Sequence, residues 1–124
     1  MEMKDIHNFI DMYFEKWNNT YKAQSKEMQA FVIMMKVSEE AGELAREVAR
    51  SFGFASRKKL ERPSKLDSEL ADVLIYTQLL AKCLGINVEA ALKSKMDKIE
   101  EKLHNNDYAS EGTMEDQMGC GCKE

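Results

Sequence analysis

Between Leu66 and Leu84 the chain carries Leu66, Leu70, Val73, Leu74, Ile75, Leu79, Leu80 and Leu84, so nearly every face of a helix drawn through the segment is apolar. Such a helix is stable in water only when most of its sides are covered. The rest of the chain must supply the cover, and what it supplies is more helix. In residues 3–18, Ile6, Phe9, Ile10, Tyr13, Phe14 and Trp17 recur on one helical stripe. A second stripe runs through Ala30, Ile33, Met34, Val37, Ala41, Leu44, Val48 and Phe52, behind Ser25 as its cap. A further helix, opened by Asn87, would turn Val88, Leu92, Met96, Ile99 and Leu103 inward. Ser64, with Asp67 three residues on, fits the start of the apolar segment, and Gly85 fits its stop. No stretch reads as a convincing strand. The expectation is an all-α protein built as a four-helix bundle.

A chain of 124 residues suits one domain. The helical domain is expected to take residues 1–106, and residues 107–124 are polar, glycine-containing and aperiodic, which reads as a mobile tail. Small helical domains often gain buried area by oligomerising. The formal net charge of −4 leaves no footprint for nucleic acid. No apolar run reaches the ~18 residues of a membrane span. The opening "MEMKDIHNF" also lacks the layout of a signal peptide. A cytoplasmic protein without membrane or nucleic-acid partners is expected. Cys83, Cys120 and Cys122 do not form a disulfide framework. Cys83 falls in an apolar run and is expected to be buried. Cys120 and Cys122 offer half of a usual zinc site and are read as part of the tail.

The acids carry the chemistry. "VSEEAGELAREV", residues 37–48, holds Glu39, Glu40, Glu43 and Glu47. At ~100° per residue, Glu40, Glu43 and Glu47 share one flank of the apolar stripe, whereas Glu39 projects away from it. Glu40 and Glu43, three apart, can point at one spot. The apolar segment repeats the device with Glu69 and Asp72, with Tyr76 one turn further on. Asp72 has apolar neighbours on both sides, and a carboxylate in such surroundings must be paired, hydrogen-bonded or on a metal. Spacing alone leaves open both a solvated acidic face and a site for a hard divalent cation. Histidine is absent from the cluster, since His7 and His104 lie near the chain ends, which argues against zinc or a di-iron site.

Glu39-Glu40-Ala41-Gly42-Glu43, a spacer and then Glu69-Leu70-Ala71-Asp72 resembles the E-E-x-x-E … E-x-x-D signature of the MazG-like all-α nucleoside triphosphate pyrophosphohydrolases. The run "DVLIY…LAKCLGINVEAALKSKMDK" is similar to the branch that contains the dCTP pyrophosphatases. The resemblance covers about residues 28–102. It implies an oligomeric helical fold, dimer or tetramer. It implies Mg²⁺ held by Glu40, Glu43, Glu69 and Asp72. It implies cleavage of a nucleoside triphosphate between the α- and β-phosphates, giving the monophosphate and pyrophosphate. Tyr76 matches a tyrosine that contacts substrate, and Lys95 a lysine that approaches the phosphates. Trp17 lies in the region that helps wall the base pocket. Ile99 stands where the family often has an asparagine.

The chemistry of such a reaction is mostly positioning and charge stabilisation. Lys98, one turn beyond Lys95, is a second candidate for the phosphates. Glu39 is a candidate to orient a ligand or to act as base toward water, beside Glu40 and Glu43 as catalytic carboxylates. Glu47 is a candidate to support the ligands from behind. Arg57, Lys58 and Lys59 read as a solvated loop. Two rivals stand beside this reading. One is an enzyme resembling phosphoribosyl-ATP pyrophosphohydrolase. The other is a non-catalytic helical module that only binds nucleotide or a partner, for which Ile99 and the Trp17–Lys26 segment, which departs from the dCTP branch, are the motive.

Overall fold

The structure, a computed structural model, describes residues 1–20, 25–54 and 65–105. It contains four α-helices and, among the described residues, no strand: α1 (Met3–Thr20), α2 (Lys26–Ser51), α3 (Leu66–Leu84) and α4 (Val88–His104). The expected all-α class and its four helices are borne out, with boundaries shifted by no more than a residue or two. No single described helix is long and apolar enough to cross a membrane.

The helix ends follow local chemistry. Ser25 caps α2, its Oγ accepting from the Met28 N–H at 3.2 Å. Two left-handed glycines stop helices as the sequence allows. Gly85 (φ 69°) donates to the Lys82 carbonyl, and Ile86 donates to that of Ala81, closing α3. Gly53 (φ 75°) and Phe54 do the same to Arg50 and Ala49 at the end of α2. Both pairs are the 5→2 and 6→1 bonds of a Schellman ending, which needs a residue without a Cβ penalty at positive φ. The start of α3 differs from expectation. Ser64 lies outside the described residues, and Lys65 precedes the helix with no side-chain cap of its own. The Glu47 carboxylate comes across from α2 instead and accepts from the Lys65 N–H at 3.0 Å.

The chain divides into two units, Met1–Asn87 and the part from Val88 onward. In the first unit α3 packs against both α1 and α2. The core is a cluster of Ile10, Trp17, Ile33, Leu79 and Cys83, flanked by Ile6, Phe14, Ile75 and Leu80 among others. Cys83 is buried, as the apolar run suggests, and burial pushes its thiol pKa up.

Two expectations about faces need correction. Along α2 the buried residues are Ile33, Glu40 and Glu47, whereas Met34 (45% exposed) and Val48 (40%) stay open. The face turned inward is thus offset from the centre of the apolar stripe toward its acidic flank. On α3, Leu70 and Leu74 are half exposed, so among the described residues one apolar side of this helix lies open. In the second unit, α4 has no buried residue, and Leu92, Met96 and Leu103 are more than half exposed rather than turned into a core. Amphipathic periodicity reports a face that wants cover and does not say which chain provides it.

Candidate active site

The offset of α2 brings its acids against α3. Carboxylate oxygens of Glu40, Glu43 and Glu69 lie within 4.8 Å of one another. Glu40 is only 6% exposed, and Glu43 and Glu69 are half-buried. Three carboxylates this close repel one another, and a cation among them relieves that repulsion. One oxygen of Glu69, Oε2, is buried without a hydrogen-bond partner among the described residues. A buried charged acceptor left unpaired costs ~1–3 kcal/mol or more. The donor set is all oxygen, which suits a hard divalent cation. The residues therefore fit a metal of the Mg²⁺ kind. Asp72 is half-buried on α3, one turn beyond Glu69 and outside the three-residue group.

Lys36 is a cation held by the acids of this site. Its Nζ lies 3.2 Å from Glu39 Oε1 and 3.2 Å from Glu40 Oε1. Hydrogen bonds to Glu40 and then Glu39 raise its pKa well above the usual lysine value, so the ammonium form persists. Nζ also sits 5.5 Å from the centre of the Tyr76 ring, within cation–π range.

Tyr76 joins this acidic end to an aromatic wall. Its hydroxyl shares a 3.1 Å hydrogen bond with that of Tyr13. Its ring meets those of Tyr13 and Trp17 edge-on, each with centroids 6.2 Å apart. Burial, and then the Tyr13 hydrogen bond, push the Tyr76 phenol above its ordinary pKa and keep it protonated. Tyr13, Lys16, Trp17, Lys36, Glu39 and Tyr76, with Thr20, Val32, Met35 and Ser38, line a cleft of about 910 Å³. That volume is at the upper end for a small-molecule site. Trp17 is both a core residue and part of the cleft wall.

The other sequence candidates fall elsewhere. Lys95 and Lys98 are exposed on α4, in the second unit. Glu47 is 4% exposed and holds the entry to α3. Arg57, Lys58, Lys59, Cys120 and Cys122 lie outside the described residues. Sequence reasoning passed over Lys36, Tyr13 and Lys16. Lys36 had a readable signal, since it stands three and four residues before Glu39 and Glu40 and so shares their helix flank.

Glu47 ties the two halves of the carboxylate group together. Lys65, whose N–H it receives, accepts in turn from the Glu69 N–H at 2.9 Å. Glu47→Ala leaves the Lys65 N–H without this acceptor. The expected result is a loss of ~1–3 kcal/mol in chemical denaturation. Weaker divalent-metal binding should accompany it, because Glu69 sits on the released turn. An unchanged midpoint would show that the contact is dispensable.

Over 105 residues the chain is 31% identical to YpjD of Bacillus subtilis (strain 168), described as an uncharacterised protein, with 85% of this chain and 86% of that protein covered. No solved structure matches the chain. Residues 30–106, which hold every carboxylate of the cluster, match the profile of the MazG nucleotide pyrophosphohydrolase domain, and the chain belongs to that family.

Proposed function

We propose that the protein is a Mg²⁺-dependent nucleoside triphosphate pyrophosphohydrolase that cleaves (d)NTP between the α- and β-phosphates. The observation that carries this reading is the meeting of Glu40, Glu43 and Glu69 within 4.8 Å beside a cleft walled by Trp17 and Tyr76. Glu40, Glu43 and Glu69 would hold the metal, with Asp72 completing the set. When bound, Mg²⁺ would neutralise the acids against a polyanionic substrate and polarise its phosphoryl groups. The aromatic wall of the cleft suits a nucleobase, with the Tyr76 phenol as a neutral hydrogen-bonding group. Water supplies the new P–O bond as the α–β bridge breaks and pyrophosphate leaves. Glu39, half exposed on the cleft wall, Glu40 and Glu43 are the candidate carboxylates to take the proton. Lys95 is the proposed further phosphate contact on the strength of the "SKMDK" match alone, and Lys98 is a second candidate because it lies one turn later.

The reading includes self-association and work on the cytoplasmic nucleotide pool. Exposed Phe31, Met35, Phe52, Leu70 and Leu74 support the first, since they are large apolar groups that one chain leaves open. The dCTP-like branch is the proposed relation, resting on "DVLIY" and "SKMD".

Thermal melting separates this reading from a purely structural helical module. Mg²⁺ together with a triphosphate bearing an uncleavable α–β bridge should raise Tm by more than either alone, because ligands that prefer the folded state stabilise it. No shift with any ligand would contradict the reading.

A further inference from the structure

Lys36 is engaged by a residue it would have to give up. Glu40 is a proposed metal ligand, yet one of its oxygens already receives the Lys36 ammonium at 3.2 Å, with Glu40 almost wholly buried. A divalent cation and an ammonium on the same carboxylate compete for it. The second partner, Glu39 at 3.2 Å, differs in having a side chain 56% exposed. The ammonium therefore has somewhere to stay when Glu40 is taken. The Tyr76 ring at 5.5 Å offers a further resting surface. Lys36, Glu39 and Tyr76 all line the 910 Å³ cleft, so a lysine that swings from Glu40 to Glu39 stays at the cleft wall. The pair is also poorly placed as a mere helix staple, because lysine before glutamate is the weaker order along a helix.

We propose that Lys36 is a stand-in cation: it neutralises Glu40 in the metal-free protein, yields that carboxylate when metal loads, and then presents its ammonium to the substrate polyphosphate. This rests on the metal-dependent reading given above and goes beyond it by assigning a substrate-facing residue and an order of events. Metal loading and phosphate recognition become linked through one side chain, which meets nucleotide fully only after metal has taken Glu40.

The test is Mn²⁺ binding to the full chain without nucleotide, followed by electron paramagnetic resonance, for wild type, Lys36→Met and Lys36→Arg. Lys36→Met keeps the stem and removes the charge, and should bind Mn²⁺ about three- to tenfold more tightly, since its competitor is gone. Lys36→Arg keeps the charge on a fork that grips carboxylates more firmly, and should bind Mn²⁺ no better than wild type. With Mg²⁺ and nucleotide, Lys36→Met should raise KM about tenfold, with a smaller change in kcat. Circular dichroism checks that each variant keeps its helices, and a Lys36→Met that does not fold would make Lys36 a structural residue and overturn the proposal. Unchanged or weaker Mn²⁺ binding by Lys36→Met would overturn it too, leaving Lys36 as a positioning partner of Glu40. Tighter binding with an unchanged KM would overturn the handover to phosphate. Wild-type protein that binds no Mn²⁺ would sink the metal reading itself, and the proposal with it.

Discussion

Glu69→Gln is expected to abolish turnover while leaving the metal-free protein as stable as wild type or more so. The two effects have one cause. Glu69 brings a third negative charge within 4.8 Å of Glu40 and Glu43, and its Oε2 is buried with no hydrogen-bond partner among the described residues. Such an arrangement works against folding, because a buried unpaired charged acceptor costs ~1–3 kcal/mol or more. The neutral amide removes the charge and keeps the shape. On the proposed metal-dependent reading the same change removes one anionic ligand, so turnover should fall by about two orders of magnitude or more, the scale on which charge stabilisation by a metal acts. Melting curves in chelator and rates in Mg²⁺, on the same preparations, check both halves. Mg²⁺ should raise the Tm of wild type and not that of the variant. A Glu69→Gln protein that melts lower in chelator would show that the carboxylate supports the fold. Asp72→Asn should likewise keep its helix signal and lose turnover. Loss of the helix signal would make Asp72 structural.

The second large effect is on stability. Among the described residues, Ile33 and Leu79 are the largest wholly enclosed side chains, and Leu79 shares its cluster with Ile10, Trp17 and Cys83. Leu79→Ala truncates a wholly enclosed core side chain and should cost ~2–5 kcal/mol. Against a total stability of ~5–15 kcal/mol for a domain, that is a large share. Tm should drop by more than about 10 °C. Leu74, on the same helix but 58% exposed, is the control. In an isolated chain Leu74→Ala should cost under about 0.5 kcal/mol. If the open apolar face pairs with a second copy, Leu74→Ala should instead weaken association, and its Tm should depend on protein concentration. Equal tolerance of both substitutions at every concentration would contradict this view of the core.

The helices were legible because their signals are local. The stripe through Ile6, Ile10 and Trp17, Ser25 as a cap and Gly85 as a stop depend on neighbours within a turn or two, and the structure has them where the sequence puts them. The meeting of Glu40, Glu43 and Glu69 was also legible, since two pairs spaced by three on adjacent helices can converge. What escaped depends on contacts across long separations in sequence. Glu47 reaches 18 residues ahead to the Lys65 N–H, and no pattern in "GELAREV" announces that partner. The buried face of α2, through Ile33, Glu40 and Glu47, is offset from the centre of the hydrophobic stripe toward its acids, and the stripe alone does not announce that offset. Tyr13 reads as one more aromatic of α1 until Tyr76, 63 residues away, brings a hydroxyl to it. Lys36 was overlooked for another reason: its partners are local, but a lone lysine on a helix flank usually belongs to a solvated face.

The central claim is that the carboxylates of α2 and α3 serve a metal-dependent break between the α- and β-phosphates. The most direct measurement is phosphorus NMR of deoxy- and ribonucleoside triphosphates incubated with the protein and Mg²⁺. The expected spectrum shows nucleoside monophosphate and pyrophosphate in equal amounts from at least one base, with both absent in chelator and in Glu69→Gln. Orthophosphate with nucleoside diphosphate, products that persist in chelator, or no turnover across the whole panel would contradict the claim.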